Sequence, residues 1–275
     1  MSGNFLEQAP NRIRVTMLGC GGSGGVPQIG GEDGRGWWGA CDPANPLNRR
    51  TRTSVCIEAP AGERVLVDAG PDLREQLLAA AIGRIDAILM THHHADHIMG
   101  LDEVRILNRL VGRAIDVFGM AETLENLQRR FDYAFLPATA PMFFRPALLP
   151  VPVRAGETAR IAGMEIELLH QDHGVMDTLG LRLGRFAYCT DLVRLPEKSL
   201  ARLHGLDTWV VACFQRGPHK VHAKLEEVLD WVARLRPRRT VLTHMGPDLD
   251  YGWLKTHLPA GVEPGHDGLV LDVPI

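Results

Sequence analysis

The feature that most restricts how this chain can fold is a group of histidines at the end of an apolar run. Residues 85–91, with the sequence IDAILMT, predict a β-strand, and the pattern over 96–111 predicts a helix. The junction at 92–97 holds four of the chain's twelve histidines, His92, His93, His94 and His97. Metal-ligating side chains in such number directly after a buried strand point to a metal site.

The spacing of these donors predicts which of them share an ion. In the extended part of a turn, residues two apart point in the same direction, so His92 and His94 can converge on one ion while His93 points away. Asp96 and His97 turn to the other side as the helix begins. The segment therefore suits two adjacent ions.

Short apolar runs rich in β-branched residues recur along the chain and predict strands. They lie at 12–18, 53–59, 64–68, 85–91, 114–119, 159–169, 178–190, 207–214, 239–243 and 269–273. Helical patterns lie between some of them, at 72–82, 96–111, 121–131 and 222–236. Interspersed strands and helices predict an α/β architecture, and because the composition does not shift along the 275 residues, we expect a single domain over 1–275 with its core at about 12–274.

Charge and cysteine content restrict the partners and the compartment. The chain carries 30 Lys and Arg against 33 Asp and Glu, a formal net charge of −3, which argues against a broad basic face for nucleic acid. Five scattered cysteines without a CxxC pair do not suggest a disulfide framework. Since no apolar run is long enough for a membrane span and the start shows no signal-peptide core, we expect a cytoplasmic protein without a membrane partner.

The motif HxHxDH at 92–97 resembles the metal motif of the metallo-β-lactamase superfamily of hydrolases. The resemblance implies an αββα sandwich and further ligands downstream, and it extends over about 14–246. It implies a first divalent ion on His92, His94 and His173, a second on Asp96, His97 and His244, and the Asp191 carboxylate bridging both. Zinc and manganese both suit such donors.

Two further positions follow from the same resemblance. Asp68 in VLVDAG matches an early aspartate of the family that orients a ligand histidine. For the first downstream ligand, His170 is the alternative to His173. We favour His173 because it lies beyond the apolar run and precedes Gly174, whereas His170 continues the strand.

The glycine-rich stretch MLGCGGSGGVPQIGG at 17–31 is similar to the opening of the phosphodiesterase branch of the superfamily. That branch includes the phosphoribosyl cyclic phosphodiesterase of phosphonate breakdown, the pyrroloquinoline-quinone B-type proteins and, more distantly, the tRNA 3′-processing endonucleases. The stretch also satisfies GxGxxG, but Pro27 and Gly30 stand where a dinucleotide-binding helix would begin. We therefore expect a tight loop beside the metal site.

A second segment, 221–246, is similar to the phosphonate-pathway enzyme. His222 begins a predicted helix that leads to the strand ending in His244. The family places this histidine near the leaving group, so His222 is the expected proton donor, with His219 as the alternative. Asp96 is the second expected catalytic residue, since it would hold the metal-bridging hydroxide in place.

Substrate contacts are predicted in the loops. Trp37 in the glycine-rich loop, next to Trp38, would either stack on a base or pack on the core as a lid. Arg52, with its neighbours Arg49 and Arg50, would either reach a substrate phosphate or belong to a solvated loop. The segment 112–158 is short and not basic, unlike the RNA-binding arm of the tRNA endonucleases.

The sequence therefore predicts a two-metal hydrolase that cleaves a phosphodiester in a small nucleotide-like or cyclic phosphate substrate, with no large nucleic-acid partner. Two alternatives stay open. One is a hydrolase of carboxylic or thioester bonds, and the other is a non-hydrolytic accessory protein that binds metal and nucleotide. A homodimer is compatible with either.

Overall fold

The computed structural model describes residues 12–136 and 147–275, and within them the chain forms two seven-stranded sheets. The strands are β1 (Arg12–Gly19), β2 (Ser54–Glu58), β3 (Arg64–Val67), β4 (Ala87–Leu89), β5 (Ile115–Gly119), β6 (Leu148–Pro152), β7 (Thr158–Ile161), β8 (Met164–Asp172), β9 (Asp177–Leu183), β10 (Phe186–Cys189), β11 (Thr208–Ala212), β12 (Arg239–Thr243), β13 (Val262–Pro264) and β14 (Val270–Pro274). The first sheet has the order β14-β1-β2-β3-β4-β5-β6 and the second β13-β12-β11-β10-β9-β8-β7. Both sheets are mixed, with parallel pairing from β3 to β6 and from β10 to β13.

The helices are shorter than the patterns in the sequence predict. They are α1 (Leu73–Ala79), α2 (Ala95–Ile98), α3 (Val104–Val111), α4 (Ala121–Arg130), α5 (Asp132–Phe135), α6 (Glu197–Ala201), α7 (Leu225–Leu235) and α8 (Tyr251–His257). No helix within the described ranges combines the length and the apolar character needed to cross a membrane.

Alternation along the strands creates the layers. Val65 and Val67 of β3 belong to a core cluster that includes Leu181 of the second sheet, so they lie between the sheets. Leu66, between them, belongs to a second cluster with Leu73 of α1 and residues of α3 and α4. Since α7 and α8 add Val228, Leu235 and Leu254 to the first cluster, the layers are helix, sheet, sheet and helix, which confirms the predicted α/β sandwich.

Several boundaries differ from the sequence-based expectation. The single runs predicted at 159–169 and 178–190 are each two strands, because tight turns with positive φ at Gly163 and Gly184 interrupt them. The helix predicted over 222–236 begins only at Leu225. His222 therefore lies in the loop before α7, and its expected place at a helix start is wrong. Residues 137–146 of the segment 112–158 lie outside the described residues.

The strand directions bring the predicted site residues to one edge of the sandwich. β3 and β4 run parallel in the first sheet, and β8, β10 and β12 share one direction in the second. Asp68 follows β3, His173 follows β8 and His244 follows β12 directly, while Asp191 follows β10 by two residues. Carboxyl ends of parallel strands form a common edge where functional groups can meet.

Candidate metal centre

The structure brings all seven predicted metal ligands together in two groups that share Asp191. The first group consists of His92, His94, His173 and Asp191, and the second of Asp96, His97, Asp191 and His244. Within each group, the ligand atoms all lie within 4.8 Å of one another. One carboxylate at the centre of two donor sets can serve two neighbouring ions.

The buried Asp191 carboxylate lies at the centre of the cluster. Its Oδ1 lies 2.9 Å from His244 Nε2, and its Oδ2 lies 3.3 Å from His97 Nε2, 3.5 Å from His92 Nε2 and 3.7 Å from His173 Nε2. Asp191 therefore lies close to imidazoles of both donor groups. A single carboxylate in this position can serve both.

Three site residues that follow strands lie in the left-handed backbone region. The φ angles are 63° at Asp68, 49° at Asp191 and 52° at His244. Residues with a Cβ rarely adopt this conformation, which costs about 1–3 kcal/mol each. The surrounding structure holds them in place: Ser54 Oγ donates to Asp68 O at 3.0 Å and Thr178 Oγ1 donates to Asp191 O at 2.8 Å. This backbone conformation directs the three side chains toward the site, which the regular alternation of side chains along a strand would not do.

Hydrogen bonds on the far side of three rings fix which nitrogen faces the cluster. His173 Nδ1 donates to Val221 O at 2.7 Å, and His97 Nδ1 lies 2.7 Å from Asp68 Oδ2. Thr91 Oγ1 donates to the same Asp68 oxygen at 2.8 Å, so it can accept from His92 Nδ1 at 3.0 Å. Each ring therefore carries its proton on Nδ1 and presents the Nε2 lone pair to the cluster, as metal-ligating histidines do.

Unpaired buried nitrogens show that the residues fit metal ions. His92 Nε2, His97 Nε2 and His244 Nε2 are buried and form no hydrogen bond with the part of the chain that the structure describes. Unpaired buried polar atoms cost free energy unless a partner satisfies them. Imidazole nitrogens and carboxylate oxygens are also the donor set that divalent zinc or manganese accepts. The cluster therefore suits divalent cations.

The electrostatics agree with a site for cations. Although burial opposes charge on the ring, the carboxylates of Asp191, Asp68 and Asp96 raise the pKa of His97. In the same way, burial is outweighed by Asp191 and Asp96, which raise the pKa of His244 to about 9. The negative potential that favours a proton on these rings favours a divalent ion as well, so ion binding would displace protons.

The remaining histidines near the cluster lie outside the two donor groups. His170 Nε2 lies 2.9 Å from Asp177 Oδ1 on the partly exposed face of the second sheet. The half-buried His93 belongs to neither group. Burial lowers its pKa, and the charge of Glu122 of α4 partly opposes this effect. The geometry thus favours His173 over His170, and it places His93 outside both donor groups.

His222 lies against the cluster, and His219 lies outside it. The His222 ring centroid is 4.8 Å from those of His173 and His244, and its buried Nδ1 forms no hydrogen bond with the described residues. Burial and the neighbouring charge of His244 lower the pKa of His222 to about 3. His219 is exposed and stacks on the outer side of His222 at 4.9 Å.

The three arginines of the loop before β2 have separate environments. Arg50 is buried and donates to Gly246 O at 3.2 Å and Leu249 O at 2.6 Å. Its interpretation as a phosphate-binding residue is therefore wrong. Arg49 lies 5.2 Å over the ring of Trp38. Arg52 alone stays near the site.

Arg52 forms an ion pair with Asp72. Its Nε lies 3.2 Å from Asp72 Oδ2, with 30% of the side chain exposed. A Cβ at Gly70 would lie 3.5 Å from Arg52 Cβ and 2.4 Å from Asp96 O, so the arginine passes close to the Asp96 backbone. The glycine-rich loop also touches the cluster, since a Cβ at Gly22 would lie 3.5 Å from His244 Cε1.

Two contributors to the site escaped the sequence reasoning. Thr91 connects Asp68 with His92. It could have been found in the sequence, because its hydroxyl ends the apolar run directly before the histidines. The carbonyl of Val221, which orients His173, has no signal in the sequence, because any residue supplies a backbone oxygen.

Comparison with known proteins identifies a matching domain family and similar structures. The pattern of the Beta-lactamase superfamily domain matches residues 63–245. Among solved structures, a new diphosphatase from the PhnP family is 33% identical with a TM-score of 0.85, over 96% of this chain and 99% of that one.

Two curated proteins are similar to this chain over about half of their own length or less. The octanoyltransferase of Porphyromonas gingivalis is 30% identical over 260 residues, which are 94% of this chain and 51% of that protein, so the chain spans about half of it. Ribonuclease Z of Bradyrhizobium sp. (strain ORS 278) is 30% identical over 139 residues, 49% of this chain and 44% of that protein.

Proposed function

The chain belongs to the β-lactamase superfamily and, within it, to the PhnP family of metal-dependent hydrolases, and from this membership we propose that it is a two-metal phosphodiesterase for a small phosphate ester. The observation that carries the proposal is the pair of donor groups that share Asp191, with His222 directly beside them. The similarity to a diphosphatase and to ribonuclease Z supports phosphorus–oxygen chemistry.

The two donor groups would each hold one divalent ion. His92, His94 and His173 would bind the first and Asp96, His97 and His244 the second, with Asp191 shared between them. Zinc and manganese are the candidates, because both accept imidazole and carboxylate ligands. When bound, such ions would supply Lewis acidity toward a phosphoryl oxygen and lower the pKa of coordinated water.

Asp96 is suited to hold the attacking water. Burial opposes its ionisation, but the charge of His97, whose Nε2 lies 3.3 Å from Asp96 Oδ2, outweighs burial and lowers the pKa of Asp96. Its side chain is 12% exposed, so one side of the carboxylate is open to the solvent side of the cluster. An ionised carboxylate there can accept a hydrogen bond from water and fix its orientation.

His222 is suited to donate to the leaving oxygen. Because its pKa is about 3 without substrate, the ring is neutral at pH 7. An anionic phosphate next to the ring would favour the protonated form and raise this pKa. The ring would then supply the proton that an alkoxide leaving group needs. Arg52, whose Cβ lies near the Asp96 backbone, would contact a phosphate oxygen.

Hydrolysis assays on metal-loaded protein test the proposal. Bis-p-nitrophenyl phosphate and a panel of cyclic nucleotides should be cleaved, and Asp191→Asn should abolish both turnover and metal retention. Asp177→Asn is the matched control, because Asp177 is exposed and contacts His170 rather than the cluster. If the metal-loaded chain cleaved none of these esters, the proposal would fall.

The octanoyltransferase match favours one second candidate, hydrolysis of carboxylic or thioester bonds. The match covers almost the whole of this chain and half of a protein named for octanoyl transfer. The same preparation should therefore be assayed with an octanoyl thioester. Cleavage of the thioester without cleavage of any phosphodiester would favour the second candidate over the first.

A further inference from the structure

A cavity of about 370 Å³ opens beside the candidate metal centre, and its lining contains none of the residues of the two donor groups. Trp37 and Phe214 contribute aromatic rings to its lining, and Gln28, Gln215 and Asp248 contribute polar groups. We propose that this cavity binds the planar heteroaromatic ring of the substrate, a nucleobase, against Trp37 and Phe214. Its volume lies within the range of about 300–1,000 Å³ that is typical of small-molecule sites.

Phe214 connects the lining of the cavity with the groups that would act on phosphate. The Phe214 ring centroid lies 4.7 Å from that of His222 and 6.0 Å from that of His244. Gly246, which also lines the cavity, follows His244 by two residues. A molecule with its phosphate at the donor groups would therefore extend its leaving group or its sugar past His222 toward Phe214.

The charges of the lining favour an uncharged ring over a second anion. Asp248 is the acidic group of the lining, and it is neutralised by Arg216, whose Nη2 lies 2.6 Å from Asp248 Oδ1 and whose backbone N donates to Oδ2 at 2.8 Å. Gln28 lines the cavity, and its side-chain amide can offer both a donor and an acceptor to the edge of a base. Aromatic faces with an amide at the edge match the two surfaces of a nucleobase.

Trp37 is held in place but not buried. Residues 28–37 form an arm that is closed by two backbone hydrogen bonds, from Gln28 N to Trp37 O at 2.9 Å and from Trp37 N to Gln28 O at 2.8 Å. Shortly after this arm, Ala40 N donates to Pro247 O at 2.8 Å. Nevertheless 51% of the tryptophan is exposed. A large ring that is fixed on its backbone and open on its face can stack on a base with little loss of conformational entropy. This geometry argues against a lid packed on the core.

The inference rests on the proposed function in one respect: the phosphate of the same molecule is placed at the donor groups. Its test measures binding and does not need turnover. Isothermal titration of the metal-loaded protein with AMP and with ribose 5-phosphate compares ligands with and without a base. We expect AMP to bind about 10-fold more tightly, equal to about 1.4 kcal/mol. Trp37→Ala should remove this preference and Trp37→Phe should keep most of it.

Ile29 provides the matched control, since it lies on the same arm, is fully exposed and does not line the cavity. Ile29→Ala should leave the preference for AMP unchanged. Equal binding of AMP and ribose 5-phosphate by the unaltered chain would overturn the inference, as would a preference that survives in Trp37→Ala. The two proposals can also fail separately. If Trp37→Ala loses the preference for AMP but the unaltered chain hydrolyses no phosphodiester, the base site is upheld and the proposed function is rejected.

Discussion

Replacing Asp68 by asparagine should weaken divalent metal binding by about 10- to 100-fold while the chain stays folded. Asp68 is fully buried and belongs to neither donor group. It accepts three hydrogen bonds, from Thr91 N at 2.8 Å, from Thr91 Oγ1 at 2.8 Å and from His97 Nδ1 at 2.7 Å. The substitution keeps the shape of the side chain and changes one acceptor oxygen into a donor.

The magnitude follows from what the amide cannot do. Asparagine keeps one oxygen, which can accept from Thr91 N or from His97 Nδ1 but not from both. The Thr91 hydroxyl can turn to accept from the new amide, whereas the Nδ1 proton of His97 cannot leave without changing the tautomer that presents Nε2. One hydrogen bond to a charged group is therefore lost, worth about 1.5–3 kcal/mol, which corresponds to the stated range in affinity.

Competition between the protein and a chelator for zinc, followed with a colorimetric indicator, measures this change. Asp86→Asn is the matched control, because Asp86 is also a buried aspartate of the first sheet but lies before β4, where it pairs with Arg84 and Arg113. The control should lose stability without losing metal affinity. Unchanged zinc affinity in folded Asp68→Asn would refute the tautomer argument.

Two further predictions concern catalysis and stability. His222→Ala should lower kcat about 100-fold at unchanged metal content, with His219→Ala as a nearly neutral control; parallel loss of metal and turnover would instead make His222 a ligand. Asp250→Ala should reduce the free energy of unfolding by about 1–2 kcal/mol at pH 7, because Asp250 caps α8 through Trp253 N and accepts from Asp42 N. Burial favours the neutral acid, but these bonds lower the pKa of Asp250, so the stabilisation is present above the unfolded pKa of about 3.9 and is lost as pH falls through the folded value. In urea unfolding, the difference in the free energy of unfolding between the unaltered chain and Asp250→Ala should be constant from pH 7 to about pH 4 and should shrink below pH 4. A difference that has already disappeared at pH 5 would contradict the assignment.

Strand positions were the most predictable part of the fold, because apolar runs buried on both faces are visible in the sequence. The short runs that escaped prediction were β6, with the sequence LLPVP, and β13, with VEP. Two prolines in β6 and three residues in β13 leave too little pattern to distinguish a strand from a loop. Their pairing with β5 and β12 comes from the tertiary structure rather than from local preference.

The members of the donor cluster were also predictable, since each is a metal-ligating residue type at or near a strand end. The sequence could not predict how their backbones turn. Asp68, Asp191 and His244 adopt positive φ angles that glycine would normally supply, and no local pattern distinguishes these residues from ordinary strand ends. The functional requirement to point inward overrides local preference here, and contacts far apart in the sequence stabilise the result.

Arg50 shows how far local reasoning can mislead at such a site. In the sequence it stands between Arg49 and Arg52 as one of three loop cations, yet it is 2% exposed while its neighbours are not buried. Its guanidinium reaches 196 residues along the chain to Gly246 O and 199 residues to Leu249 O. Those carbonyls belong to the turn directly after His244, so the arginine fixes the segment that carries a candidate metal ligand. A cation that seemed available to substrate therefore acts on the backbone behind the site, and only the long-range fold determines which of the three arginines does so.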